Sequence, residues 1–359
     1  MGKLDEARIV IDEVDSEIAK LFERRMKAVE DVIAYKIENN LPVFDEKREQ
    51  IVIEKNVARI QNEVYKPYFE EYLHASMEIS KKYQRTFVEK KKVAYQGVEG
   101  AFSHIASSTL FPYEELTSYQ TFQQVFEAVE KGEMEYGIIP LENSYTGEVG
   151  DVFDLLYSYK NIYIVETLDL AVSQNLLGIK GSKLSDITSV YSHPQALSQC
   201  SLFLEGLQAK TVSYPNTALA AKYVSEQNNV SMAAIASKKT ATEYGLDILV
   251  NDINNSKDNT TRFIVIKNKM SYNGHYFSIL FSVEHEAGAL AKVIDVIRKY
   301  GYNMESIHSR STKHQSWQYY FYIEMSGSHE SEKTRELLEE LGNSTQVLRV
   351  LGWYDRKED

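Results

Sequence analysis

Cysteine is nearly absent from this 359-residue chain, where Cys200 stands alone. A single thiol excludes an intrachain disulfide framework and any site built on paired cysteines, which suits a reducing compartment. No metal and no cofactor is expected. Net positive charge is missing too: the formal charge is -12 and the isoelectric point about 5.3. The overall field therefore repels nucleic acid and anionic membrane, and an anionic ligand would need a locally basic pocket. No apolar run approaches the length that spans a bilayer, and the opening Met-Gly-Lys-Leu-Asp-Glu has neither an apolar signal core nor the Ser or Thr of a myristoylation site. A cytoplasmic protein with no nucleic-acid or membrane partner is expected. Internal repeats and low-complexity tracts are lacking as well.

What remains is an ordinary globular composition, 43% hydrophobic and 26% charged, on a chain long enough for more than one core. Its pattern changes twice. From Leu4 to Tyr35 apolar residues recur on a heptad (Leu4, Ala7, Ile11, Val14, Ile18, Leu21, Ala28, Val32, Tyr35), which predicts one long amphipathic helix. Asn39-Asn40-Leu41-Pro42 breaks it; a second helix should follow Asp45, and a third should start at Pro67 and run toward Val88. Residues 1–88 thus read as an all-α domain. Beyond the basic linker Lys90-Lys91-Lys92, strand-like runs at Tyr136–Pro140, Ile162–Glu166, Ile187–Tyr191, Ser231–Ala236 and Phe263–Lys267 alternate with helical stretches, which predicts mainly parallel sheets over 92–268. Residues 275–355 read strand, helix (289–299), two strands, helix (330–341), strand (346–351), the βαββαβ order of a ferredoxin-like module.

The heptad has one flaw: Arg25 falls among the seam residues Leu4, Ile11, Ile18 and Val32. A guanidinium there needs an anionic partner, either an acidic side chain of a neighbouring helix or a ligand. Lys36 lies about 16 Å along the helix and about 20° round it, close enough to lean toward the same small ligand. Arg8 is about 25 Å from Arg25 on the same helix, so it can serve such a site only from another copy of the chain. The pattern Arg8, Arg25, Lys36, Asp45, Arg48, Glu49, with Ser80 and Gln84 one turn apart, resembles the all-helical chorismate mutase family. The resemblance implies a pericyclic rearrangement of chorismate to prephenate without covalent catalysis. Arg8, Arg25 and Arg48 would hold the two carboxylates, Lys36 and Gln84 would donate to the breaking ether oxygen, and Glu49 would take the substrate hydroxyl. Ser80 and Gln84 are aligned with the family's third-helix pair in place of Ser76 and Ser80, because the amide supplies a donor.

In the middle segment, Gln96-Gly97-Val98-Glu99-Gly100-Ala101-Phe102-Ser103 follows the first strand and opens a helix, so its backbone amides can cradle a carboxylate. Together with Pro140-Leu141-Glu142-Asn143-Ser144, Ser192-His193-Pro194-Gln195 and Thr261-Arg262-Phe263, it resembles prephenate dehydratases. The resemblance implies two α/β lobes with prephenate in the cleft between them, bound by Glu142, Asn143, Ser144, Ser192, His193, Gln195, Thr261, Arg262 and Phe263. Thr261 would stand at the departing hydroxyl as the catalytic group. Arg262 reads equally well as a structural ion pair and His193 as a turn residue.

Glu286-Ala287-Gly288-Ala289-Leu290 in the last segment resembles the Gly-Ala-Leu loop of ACT regulatory domains. Asn303 and His308-Ser309-Arg310-Ser311 stand where related dehydratases carry a Glu-Ser-Arg-Pro motif. The resemblance implies that phenylalanine binds through Gly288, Ala289, Leu290, Asn303, Ser309 and Arg310, and that the chain forms a dimer or tetramer. Taken whole, the sequence resembles the bifunctional chorismate mutase/prephenate dehydratase family of phenylalanine biosynthesis. An arogenate-preferring dehydratase with a vestigial mutase domain, and a non-catalytic amino-acid sensor, remain the other readings.

Overall fold

The structure, a computed structural model, describes residues 2–39, 41, 46–312 and 318–358. The chain divides into two compact units, Met1–Lys90 and Lys91–Asp359. In the first, α1 (Lys3–Glu38) is the expected long helix, followed by α2 (Glu46–Val57) and α3 (Lys66–Gln84). Pro67 sits in the first turn of α3, where its missing N–H costs no hydrogen bond. The helix stops short of Val88 because its end tightens into a 3₁₀ turn at Arg85–Phe87. Ile33 is the buried residue of α1, while Leu4, Ile11, Val14, Ile18 and Leu21 of the heptad are all exposed.

The second unit begins with β1 (Lys92–Gln96), α4 (Phe102–Leu110), β2 (Glu115–Tyr119), α5 (Phe122–Glu130), β3 (Tyr136–Asn143), β4 (Gly147–Glu148), α6 (Gly150–Ser158) and β5 (Tyr163–Ala171). A second lobe follows: β6 (Asn175–Gly178), β7 (Ser189–Ser192), α7 (Pro194–Gln199), α8 (Ser201–Leu207), β8 (Lys210–Ser213), α9 (Thr217–Gln227), β9 (Met232–Ala236), α10 (Lys238–Tyr244) and β10 (Asp247–Val250). The chain then returns to the first lobe as β11 (Thr260–Lys267). Its last part holds β12 (Tyr276–Ser282), α11 (Ala289–Lys299), β13 (Met304–Ser311), β14 (Tyr319–Ser326), α12 (Glu332–Ser344), β15 (Val347–Tyr354) and β16 (Arg356–Glu358).

Three sheets result, in the orders β16-β5-β11-β3-β1-β2 with β4 on β3, β10-β6-β9-β7-β8, and β13-β14-β12-β15. The first two are mixed where the sequence suggested mainly parallel. The reason is the return strand: β11 enters lobe one from lobe two and runs antiparallel between β3 and β5. In lobe two β6 runs antiparallel to both its neighbours.

The third sheet is packed on both faces along β12. Along β12, Phe277, Ile279 and Phe281 pack under α11 and α12 with Val293, Ile297, Leu337 and Leu341. On its other face Leu280, Tyr320, Tyr322, Leu351 and Tyr354 pack into the lobe-one core with Phe126, Phe153 and Leu156. Period-two alternation of an apolar strand thus supplies two cores at once. The chain end adds β16 parallel to β5, a strand with no apolar signal in the sequence. Among the described residues no helix is long and apolar enough to cross a membrane.

Candidate active sites

In the helical unit Arg25 lies over α3, where Nη1 donates to Ser76 O at 3.3 Å and to the Ser80 hydroxyl. Small residues at positions 76 and 80 make room for that guanidinium. Gln84, one turn on, is buried, and its Oε1 has no hydrogen-bond partner, the mark of a polar group awaiting one. Glu49 of α2 accepts from Lys81 Nζ at 3.2 Å, and Lys81 also pairs with Glu78. Burial depresses the Lys81 ammonium, but the two carboxylates outweigh it and its pKa stands above the usual lysine value. Lys81 was not among the residues singled out from the sequence; a lysine on a polar helix face carries no signal of its own. Lys36 is half-buried, while Arg48 and Arg8 are exposed. Asp45 lies outside the described residues.

In the second unit a cavity of about 610 Å³ separates the lobes, and all four motifs reach it through Gly97, Ser103, Asn143, Thr146, His193, Gln195, Thr261 and Phe263. Strand alternation decides which motif residues face it. Thr261 and Phe263 line it and Arg262 points the other way, where it pairs with Asp169 (2.7 Å from both Nε and Nη2), Glu142 (3.1 Å) and Glu324 (3.2 Å). On β3 the register slips beside β11, so that Pro140 and Asn143 face the cleft while Leu141 joins the core and Glu142 meets Arg262. A bulge of this kind re-aims side chains next to a site.

Asn143 is the centre of the arrangement. Its Nδ2 donates to Thr261 Oγ1 at 2.9 Å, Asn259 Oδ1 at 2.8 Å and Thr260 O at 3.0 Å. Its Oδ1 accepts from the amides of Tyr145 (3.0 Å) and Thr146 (3.1 Å). Ser144 stitches the same turn to the start of β11, donating to Asp258 O at 3.0 Å and accepting from Thr260 N at 2.9 Å. Ser192 is fully buried and donates to Ile235 O at 2.7 Å, binding β7 to β9. Glu142, Ser144, Ser192 and Arg262 therefore frame the cleft without lining it.

His193 caps α7, its Nδ1 accepting from Gln195 N at 3.3 Å, and burial lowers its pKa, which keeps the ring neutral. Gln195 reaches across the cleft to donate to Thr146 Oγ1 at 2.9 Å. Thr240 Oγ1 of lobe two donates to Gly100 O at 2.7 Å, and a Cβ on Gly100, already at φ +79°, would meet Thr240 at 3.3 Å. Gln174, Gln199, Asn216 and Thr217 also line the cleft. Gln174 Oε1 is buried without a partner. The capping residue Asn216 was the one available signal, since Asn-Thr before an apolar helix marks an N-terminus. A second cavity, about 550 Å³, lies at the far end of β3 and β11 around Tyr136, Lys91 and Lys267 and holds none of the motifs.

Gly288, at φ +85°, caps α11, and Ala289 and Leu290 line a 140 Å³ pocket with Glu284, His285, Tyr319 and Phe321. Asn303 and Ser309 are exposed elsewhere. Arg310 turns toward lobe one, pairing with Asp154 (Nε–Oδ1 2.9 Å) and Glu148 (2.8 Å). Gly150 packs directly beneath it, so that a Cβ there would push the guanidinium aside.

Residues 7–85 match the family described as chorismate mutase type II, residues 93–271 the prephenate dehydratase family, and residues 277–343 the ACT domain. A bifunctional chorismate mutase/prephenate dehydratase of Aquifex aeolicus (strain VF5) is 35% identical over 364 residues, 99% of each chain. This chain belongs to the bifunctional chorismate mutase/prephenate dehydratase family. It is an isomerase and a carbon–oxygen lyase of phenylalanine biosynthesis, carrying an ACT regulatory domain. An arogenate dehydratase/prephenate dehydratase 2 of Arabidopsis thaliana is 36% identical, but over 73% of this chain and 72% of its own. The match over nearly the full length thus favours the bifunctional enzyme over the arogenate-specific and sensor readings. A solved prephenate dehydratase of Arthrobacter aurescens in complex with L-Phe aligns with TM-score 0.69 at 26% identity, over 74% of this chain and 89% of that one.

Proposed function

We propose that the two sites work in succession with the following division of labour. In the helical unit Arg8, Arg25 and Arg48 hold the carboxylates of chorismate, Asp45 and Ser80 also bind the substrate, Lys36 and Gln84 donate to the ether oxygen, and Glu49 takes the hydroxyl. No proton moves and no covalent intermediate forms; orientation and preorganised charge lower the barrier. The Arg25–Ser80 contact and the burial of Gln84 one turn from Ser80 support this reading. Arg8 enters from a second copy, and the exposed heptad of α1 is the apolar seam along which a dimer would form.

In the cleft, Thr261 delivers the proton that lets hydroxide leave prephenate as water. The observation that carries this is the Asn143 Nδ2 to Thr261 Oγ1 hydrogen bond. Because Oγ1 accepts there, its own hydrogen is free for the departing oxygen. The C–O bond breaks as the bond to the ring carboxylate breaks; carbon dioxide leaves, the electron pair enters the ring, and aromatisation drives the step. Solvent restores the threonine proton. Gly97 and the N-terminus of α4 at Ser103 receive a carboxylate of the substrate. Phenylalanine binds at the loop around Gly288, with Leu290 lining its apolar side, and acts on the dehydratase through the shared core. The single thiol and the charge suit a cytoplasmic location.

The test is a coupled assay from chorismate that reads prephenate and phenylpyruvate separately. Arg25→Ala abolishes the first step and leaves the dehydratase intact; Thr261→Ala lets prephenate accumulate. Equal loss of both activities in a folded variant rules out the division. Refolding Arg8→Ala and Arg25→Ala chains together restores mutase activity if Arg8 acts in trans, and mixed dimers without recovery mean each chain builds its own site.

A further inference from the structure

His308, on β13 of the regulatory sheet, stands against the β3–β4 hairpin of the dehydratase. Its Nδ1 lies 3.2 Å from Glu148 Oε2, and its Nε2 lies 3.3 Å from Glu142 Oε2, an ion-pair contact outside hydrogen-bond geometry. Glu142 and Glu148 are themselves register partners across the hairpin, next to the Asn143–Gly147 pair. One imidazole therefore touches both carboxylates that flank the turn holding Asn143. The ring is fixed between Phe153 (centroids 4.8 Å apart) and Tyr322 (6.0 Å).

Charge makes the contact matter. Facing this spot are Glu142 and Glu148 from the hairpin, Asp154 from α6, Asp169 from β5 and Glu324 from β14. The permanent cations among them are Arg262 from β11, Arg310 from β13 and Arg356 from β16. Arg262 serves Asp169, Glu142 and Glu324 together, and Arg310 serves Glu148 and Asp154. Among the described residues, a protonated His308 alone bridges the two hairpin carboxylates to each other.

We propose that His308 is a positioning residue for the dehydratase: as an imidazolium it ties Glu142 to Glu148 and so keeps the hairpin in the register that aims Asn143 at Thr261. The proposal rests on the role given to Thr261 above. Neutral His308 leaves two carboxylates facing each other across the hairpin, and their repulsion loosens the turn. Glu142 foremost, and Glu148, raise the pKa of His308 against the burial that lowers it. The reciprocal effect holds Glu142 below the usual carboxylate range, through His308 first and then Arg262. The sign follows: the bridge is complete below the ordinary histidine pKa and is lost as pH rises through the raised value.

The experiment measures dehydratase rates on prephenate, and mutase rates on chorismate, for the full chain from neutral into alkaline pH. The parent's dehydratase kcat falls several-fold on the alkaline side. His308→Gln is already several-fold lower on the neutral side and lacks that fall, while His308→Lys keeps the neutral rate beyond the pH at which the parent declines. Mutase rates are unchanged throughout, which reports that the variants are folded. A His308→Gln enzyme with the parent's rate and the parent's alkaline limb overturns the proposal, as does a His308→Lys enzyme no better than His308→Gln. All three keep Thr261, so failure here is separable from failure of Thr261→Ala, which tests the catalytic assignment by itself.

Discussion

Asn143 holds the turn it belongs to with its oxygen and Thr261, the proposed proton donor, with its nitrogen. That polarity is what makes the hydroxyl useful, since an acceptor at this position would draw the Thr261 hydrogen toward itself. Asn143→Asp is nearly the same shape and supplies only acceptors. The expected result is a dehydratase kcat lower by about two to three orders of magnitude, the size of a lost proton-transfer or electrostatic contact. Mutase activity of the same preparation should be unchanged. Turnover above about a tenth of the parent's would mean that the Asn143–Thr261 bond is structural. At the same scale, the Thr-Arg-Phe motif separates by strand alternation: the outer residues line the cleft and Arg262 faces Asp169, Glu142 and Glu324. Of the readings open for Arg262, the ion pair is the one this geometry favours.

Elements were legible in proportion to how much of their burial is local. The long helix α1 can be read from its heptad although Leu4, Ile11, Val14, Ile18 and Leu21 are exposed, and the βαββαβ order of the last segment can be read because its strands and helices bury a repeating face of their own sequence. Strand direction cannot: an apolar run such as Phe263–Lys267 has the same pattern parallel or antiparallel, so although the family resemblance puts the strand at 262 in lobe one, its antiparallel run between β3 and β5 was invisible. β16 was missed for a related reason, since Arg-Lys-Glu pairs with β5 through its backbone and offers no apolar alternation. The cleft motifs were visible as polar clusters, but which members face inward depends on the bulge beside Leu141, a feature of pairing and not of composition. Arg310 is the plainest case. Its partners Glu148 and Asp154 belong to another lobe, and only the packed sheet brings them within reach.

For the whole molecule, the regulatory sheet is part of the dehydratase core. Leu280, Tyr320, Tyr322, Leu351 and Tyr354 fill the same cluster as Phe126, Val152, Phe153 and Leu156. Tyr320 also donates to Asp154 at 2.7 Å beside Arg310, and Tyr354 to the buried Glu324 at 2.9 Å. A chain ending at residue 271 would leave α6 uncovered. Exposing even four of its large apolar neighbours costs about 6–12 kcal/mol, comparable with the net stability of a domain, about 5–15 kcal/mol. Asp154 would lose Arg310 and Tyr320 as well. The truncated chain should therefore lose dehydratase activity and the cooperative thermal transition of the second unit, while the Met1–Lys90 unit, with its separate core, keeps its helical circular dichroism and its mutase activity. A detachable regulator predicts the opposite: a 1–271 chain with parental dehydratase turnover and an unshifted melting temperature, merely insensitive to phenylalanine. Calorimetry and the two assays on one truncated preparation distinguish them. A shared core also gives phenylalanine a direct route, because a ligand that shifts β13 or β14 moves Phe153, Arg310 and His308 against the hairpin that carries Asn143.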